Sequence, residues 1–251
     1  MHVQNNPWLL VANSGQPTLM RLICFSCAGA DPAQLLQLAE DLEDHIELVT
    51  VCLPGHGARA DEPALDDWPR LLEQTFAQLK PLLAEPHAMF GHCLGGSIAY
   101  EIAKRAIRAF PRQTRHLFIA ACRSPDTSPR TPLLHQLPGR QLFQALEALN
   151  AITSQESSDP HFVAQVEPML RRDLQLAESW SDTVGHSLQV PLTALYGSED
   201  PLEPMANMLP WQGFTAREFE LIELPGDHFF VHSQRQRLLH IINTHLGLLS
   251  A

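Results

Sequence analysis

Short apolar runs alternate along the chain with stretches whose apolar residues return every three or four positions. The runs Leu19–Phe25, Ile46–Cys52, Ala88–Phe90, His116–Ala121, Pro191–Tyr196 and Phe219–Leu224 are short, and several are rich in Ile, Val, Leu and Phe. Strands covered on both faces have this composition. The amphipathic stretches Pro32–Leu42, Trp68–Leu83, Leu94–Phe110 and Phe229–Leu246 predict helices. Strands alternating with helices predict an α/β class, with a mostly parallel sheet flanked by helices.

The alternation breaks after the fourth of these strands. The segment from Ser124 to Pro132 carries three prolines, the composition of a loop, and helical patterns follow at Gly139–Leu149 and His161–Trp180. The expected organisation is a single domain over 1–251 with a helical lid subdomain, 125–185, inserted within it. A long insertion between core strands is usually functional.

Candidate chemistry concentrates where an apolar strand runs into Gly91-His92-Cys93-Leu94-Gly95 and a helix begins. This is the pattern of a nucleophile elbow, the tight strand-to-helix turn of the α/β-hydrolase fold. Cys93 is the candidate nucleophile, in the place usually held by serine. Its thiolate is the stronger nucleophile, and the site should favour that form. An elbow needs an acid and then a histidine further along. Asp200, in the turn after Pro191–Tyr196, is the candidate acid, with adjacent Glu199 as the alternative. His228, in Pro225-Gly226-Asp227-His228-Phe229-Phe230, is the candidate base. The Leu94 backbone N–H, following the nucleophile, would donate to the oxyanion. The second donor is expected in the loop after Leu19–Phe25, from Ala28 or less favourably from Cys27. Cys27 either lines the site or packs as a small hydrophobe. His92 should point away from the site if the strand alternates. His232 lies four residues after His228 without the intervening glutamate of a zinc motif, so no metal is expected.

Bulk properties narrow the partners. With 45% hydrophobic residues in 251, the chain can bury a sizeable core. A formal net charge of −11 disfavours nucleic acid. The basic group Lys104, Arg105, Arg108, Arg112 and Arg115 reads as a solvated helix end or a partner-binding patch. No apolar run approaches the roughly 20 residues that span a bilayer, and no secretory leader is evident. A cytoplasmic monomer without membrane association is therefore expected. Five scattered cysteines give no disulfide framework. Cys24 and Cys27 form a C-x-x-C within or at the end of a strand rather than at a helix start, so a redox or metal role is not expected there.

Several motifs together resemble the type II thioesterases of nonribosomal peptide and polyketide assembly lines. Phe25-Ser26-Cys27-Ala28-Gly29-Ala30 resembles their F-P-x-A-G-G, and Leu53-Pro54-Gly55-His56-Gly57-Ala58-Arg59 their L-P-G-R-G-x-R. The elbow resembles G-H-S-x-G, and Pro225–Phe230 resembles P-G-G-H-F-F. Leu134–Pro138 and Leu170–Leu174 resemble their lid. The resemblance implies hydrolysis of acyl or aminoacyl groups held on the phosphopantetheine arm of an acyl or peptidyl carrier domain, with no cofactor of the enzyme's own. Cys93 for serine, Ser26 for proline and Asp227 for glycine depart from the pattern. The first keeps a second outcome open, acyl transfer between carrier thiols or to another acceptor through Cys93.

Overall fold

Period-two alternation along each strand decides which side of the sheet a residue serves. On β2 (Met20–Phe25), Ile23 and Phe25 enter one core while Met20, Leu22 and Cys24 enter the other. On β3 (Ile46–Val51) the division is Val49 and Val51 against Ile46 and Leu48. Both sets are apolar, so both faces must be covered. Full burial of one such side chain is worth about 1.5–3 kcal/mol. The computed structural model describes residues 6–12, 15–182 and 187–250. In it, α1 (Trp68–Leu83) and α2 (Leu94–Ala109) cover the first face. A 3-10 helix, Pro32–Asp41, and the C-terminal helix cover the second.

Among the described residues the sheet has seven strands. It continues with β4 (His87–His92), β5 (Thr114–Ala120), β6 (Leu192–Gly197) and β7 (Phe219–Leu224), in the order β1-β3-β2-β4-β5-β6-β7. All neighbours are parallel except β1 (Leu9–Ala12), which runs antiparallel to β3. The strand order reverses between β2 and β4, and open α/β sheets bind ligands at the carboxyl ends of strands beside such a reversal. The loop after β2 and the elbow after β4 meet there, because Phe25 pairs with Gly91.

Four differences from the sequence reading have physical causes. β1 was not expected, since four edge residues, one buried and three half-buried, show no usable periodicity. Pro32–Asp41 is 3-10 rather than α, and its buried Pro32, Leu35 and Leu38 recur every three residues, the 3-10 period. The helix expected over Phe229–Leu246 is interrupted at Gln234 (φ −110°, ψ 29°), which separates α7 (Phe230–Ser233) from α8 (Arg235–Ser250). Phe230, Val231, Leu238, Leu239 and Ile242 share one core across that break, so the apolar pattern runs through it. The one-turn α6 (Met205–Met208) is too short to show a period.

Between β5 and β6 the chain forms α3 (Gly139–Ala148), α4 (Ser154–Ser158) and α5 (Pro160–Ser179). The boundary at Gly185 lies outside the described residues. A capping box joins Thr153 and Glu156 at the start of α4, and the Asp159 side chain caps α5. Leu142, Phe143, Leu146, Leu170 and Leu174 form a separate small core in this insertion. Its exit is tied to the main body by Trp180, which packs on Tyr100 and Trp211. The Arg123 guanidinium donates to the Ala177, Glu178 and Trp180 carbonyls at the end of α5, the end a cation favours.

Candidate active site

Cys93 sits between β4 and α2 with φ 54° and ψ −118°. That region costs a non-glycine residue about 1–3 kcal/mol, so the surroundings must impose it. The Cys93 N–H donates to the Ala120 carbonyl at 2.9 Å, and the Gly96 N–H donates back to the Cys93 carbonyl at 2.9 Å. Two glycines make the turn possible. A Cβ on Gly91 would lie 2.2 Å from the Gly95 carbonyl oxygen, and one on Gly95 would lie 2.2 Å from that of Phe25. Neither backbone oxygen can swing aside.

Cys93 is the only partly exposed cysteine, and all five are free thiols. Burial raises the thiol pKa of Cys24, Cys27 and Cys122, which keeps them protonated. Cys24 faces the second core, whereas Cys27 lines a cavity beside Cys93.

β6 and β7 are neighbours, so their carboxyl-end turns meet. The first brings Asp200 and the second His228, with Asp200 Oδ2 2.8 Å from His228 Nδ1. Asp200 Oδ1 accepts the N–H groups of Leu202 at 2.8 Å and Glu203 at 3.1 Å. Burial works to raise the Asp200 carboxyl pKa, but these hydrogen bonds and the His228 charge outweigh it and hold it low. Glu199, the sequence alternative, is exposed. Burial likewise disfavours a charged His228. Cys93 and Asp200 oppose it, and the imidazole pKa lies well above its ordinary value. His228 thus faces both partners, with the Asp200 carboxylate hydrogen-bonded to its Nδ1 and Cys93 close enough to help raise its pKa.

His92 is a partial departure from expectation. It lines neither cavity at Cys93, yet it is not idle. Its Nε2 donates to the His228 carbonyl at 2.9 Å, and its ring packs 5.4 Å from that of His228. Burial pushes its pKa down to about 3, which leaves it neutral. The partner lies 136 residues away, beyond any local pattern.

Leu94 opens α2, so its N–H belongs to the first turn, where no intrahelical acceptor exists. In the loop after β2, Asp173 takes the Gly29 N–H and the Cys27 carbonyl takes that of Ala30. Ala28 and Cys27 remain the candidate second donors.

Two cavities meet at Cys93 and His228. One, about 430 Å³, runs between α3, α5 and the Asp200 turn and is lined by Arg123, Leu134, Leu174 and Glu203. The other, about 480 Å³, runs past Cys27, Gly29, Leu170 and His232. Glu203 escaped the sequence reading. Burial pushes its carboxyl up to about 7, against an Asn207 hydrogen bond and the charges of His228 and Arg123. No metal-binding cluster occurs among the described residues, and burial lowers the His232 pKa. Of the basic group, Lys104, Arg105 and Arg108 lie at the far end of α2, roughly 20 Å from Cys93 along the helix axis, Arg112 and Arg115 follow it, and Lys104 is paired with Glu101 and Asp182.

Residues 20–246 match the thioesterase domain family. The chain belongs to that family. Among relatives of this thioesterase, Thioesterase PikA5 of Streptomyces venezuelae is 28% identical over 247 residues, covering 98% of this chain and 88% of its own. A thioesterase from the prodiginine biosynthetic pathway of Streptomyces coelicolor, RedJ, superposes with a TM-score of 0.85 at 29% identity, over 93% of this chain and 95% of that one. The type II thioesterase BorB, from the borrelidin biosynthetic cluster, gives a TM-score of 0.85 at 29% identity over 95% and 97% of the two chains. The fold of this thioesterase is that of the α/β-hydrolases, with helices on both faces of a mostly parallel sheet.

Proposed function

We propose that this protein is a type II thioesterase that hydrolyses acyl or aminoacyl groups from phosphopantetheinyl carrier proteins through a Cys93–His228–Asp200 triad. The carrying observation is Cys93 on a strained elbow, beside a histidine that Asp200 holds at 2.8 Å, where two cavities meet. Two cavities suit a substrate with two arms, the pantetheine on one side of the thioester and the acyl group on the other. The insertion over 125–185 acts as the lid that shapes both.

The Cys93 thiolate attacks the thioester carbonyl carbon, forming a new C–S bond. The oxyanion is held by the Leu94 and Ala28 N–H groups. Collapse breaks the pantetheine C–S bond, and the departing thiolate takes a proton from His228. Asp200 fixes the imidazole tautomer and stabilises the imidazolium. His228 then removes a proton from water, which attacks the acyl-Cys93 carbonyl. The acid leaves, and the thiolate–imidazolium pair returns. The protein needs no cofactor or metal of its own, and acts as a cytoplasmic monomer with the carrier as partner.

The cysteine itself favours a second reading. Acyl-Cys93 is a thioester, so exchange with another pantetheine thiol is nearly isoenergetic and transfer competes with hydrolysis. The direct test compares acyl-pantetheine thioesters with simple esters of the same acids. A clear preference for the thioester, abolished in Cys93→Ala, supports the proposal. Faster turnover of the ester, or undiminished turnover in Cys93→Ala, overturns it.

A further inference from the structure

A single buried oxygen joins the insertion to the loop that carries the second oxyanion donor. Asp173, on α5, accepts the Gly29 N–H on Oδ2 at 2.8 Å. The same Oδ2 lies 2.7 Å from His56 Nε2, and His56 Nδ1 lies 3.2 Å from the Pro54 carbonyl oxygen. A carbonyl can only accept, and so can an ionised carboxylate. Both bonds therefore form only when both imidazole nitrogens carry protons. His56 and Asp173 are 7% and 3% exposed, so this ion pair is sealed from water.

The surroundings leave Asp173 as the one carboxylate bonded to the imidazole. Asp31, from the loop after β2, lies against Gly57 and caps Ala33. Arg59, on the same turn as His56, is spent on Glu62 and the Cys52 carbonyl. Cys52 donates its thiol to the His56 carbonyl at 3.3 Å, and Cys27 stays a neutral thiol. Burial lowers the His56 pKa, but Asp173 and the two backbone carbonyls outweigh it and raise it.

Gly29 has φ 74°, and α5 also presses on it directly, since a Cβ there would lie 2.8 Å from Leu170 Cδ1. At that point the loop is held to α5 by the Asp173 bond and by Leu170. We propose that His56 and Asp173 are positioning residues, a clasp that fixes the Cys27–Ala30 backbone through Gly29 and so aims the neighbouring Ala28 N–H at the developing oxyanion. This rests on the thioesterase reading above. The clasp touches no reacting atom and leaves the Cys93 thiol and its His228 partner alone. Its loss should therefore slow steps that build an oxyanion and spare steps that do not.

The test measures acyl-pantetheine turnover and alkylation of Cys93 by iodoacetamide in wild type, His56→Gln, Asp173→Asn and His56→Arg. Alkylation needs the thiolate but forms no oxyanion. His56→Gln and Asp173→Asn should each lower kcat about 10–100-fold, with KM changed less than about 3-fold and the alkylation rate kept. His56→Arg, which restores a permanent cation facing Asp173, should recover most of the loss. Because the His56 pKa is raised, the clasp is intact at low pH and is lost as pH rises through that raised value. Wild type should thus show an alkaline loss of kcat that His56→Arg lacks. Turnover within 2-fold of wild type in both uncharged variants overturns the proposal. So does a parallel fall of turnover and alkylation, which marks general structural damage, and so does failure of His56→Arg to exceed His56→Gln. If wild type alkylates normally but turns over no acyl-pantetheine, the thioesterase reading fails first and the clasp's role falls with it.

Discussion

Asp200→Asn keeps the side chain's size and removes only its charge, and the structure fixes how the new amide must lie. Oδ1 accepts two backbone N–H groups, from Leu202 and Glu203. Only the amide oxygen can take that place, so the amide nitrogen faces His228 Nδ1. That nitrogen offers only protons, so Nδ1 must become an acceptor and the imidazole proton moves to Nε2. The nitrogen meeting Cys93 then cannot take the thiol proton. His228 also loses a partner that raises its pKa. In a serine triad this exchange costs on the order of 10⁴ in kcat, or about 5.5 kcal/mol. A thiol ionises more readily than a hydroxyl, so the expected loss here is about 10²–10⁴. Single-turnover acylation of Cys93, followed by intact mass, reads the step directly, and iodoacetamide alkylation at pH 7 should slow alongside it. A loss below about tenfold, or a larger loss in Glu199→Gln, refutes the assignment.

Other changes probe the nucleophile, the elbow and the buried Glu203 separately. Cys93→Ala should form no acyl adduct and shift Tm by less than about 2 °C, whereas Cys93→Ser should still acylate and shift products toward hydrolysis. A Cβ on Gly95 would lie 2.2 Å from a backbone oxygen, whereas one on Gly213 meets nothing within 4 Å. By thermal melts, Gly95→Ala should therefore cost about 2 kcal/mol or more and Gly213→Ala less than about 0.5 kcal/mol. Glu203, raised from 4.5 to about 7, stabilises fully below pH 4.5 and loses that contribution as pH rises through 7. Glu203→Gln should accordingly be more stable than wild type at pH 8, by up to about 3 kcal/mol, with the gap gone near pH 4.5. Urea unfolding across that range decides it, and a gap independent of pH contradicts the burial argument.

What could be read from the sequence was what leaves a local pattern. The strands of the double-faced sheet show as short apolar runs, and the elbow is marked by glycines at which a Cβ would fall 2.2 Å from a backbone oxygen. Asp200 and His228 were legible because each follows a strand within a few residues. Asp200 was the preferred acid with Glu199 as the alternative, and the turn sends Glu199 to solvent while Asp200 meets the imidazole. Contacts between distant segments left no such mark. Asp173 reaches His56 across 117 residues, and His92 supports a carbonyl 136 residues away. Glu203 is two residues past the strongest turn signal, Asp200-Pro201, and nothing local distinguishes a buried glutamate from an exposed one. β1 and the break at Gln234 were missed for the opposite reason, since the local pattern there is too short or runs on through a change of geometry.

On the proposed mechanism, Cys93 takes an acyl group from a carrier thioester and passes it to water. Intact-protein mass spectrometry of an acyl-loaded carrier mixed with this protein, with an empty second carrier present, follows every species at once. The expected result is a transient acyl adduct on Cys93, loss of the acyl group as free acid, and a second carrier that stays empty. Arrival of the acyl group on the second carrier through the Cys93 adduct would contradict hydrolysis and make the protein an acyl shuttle.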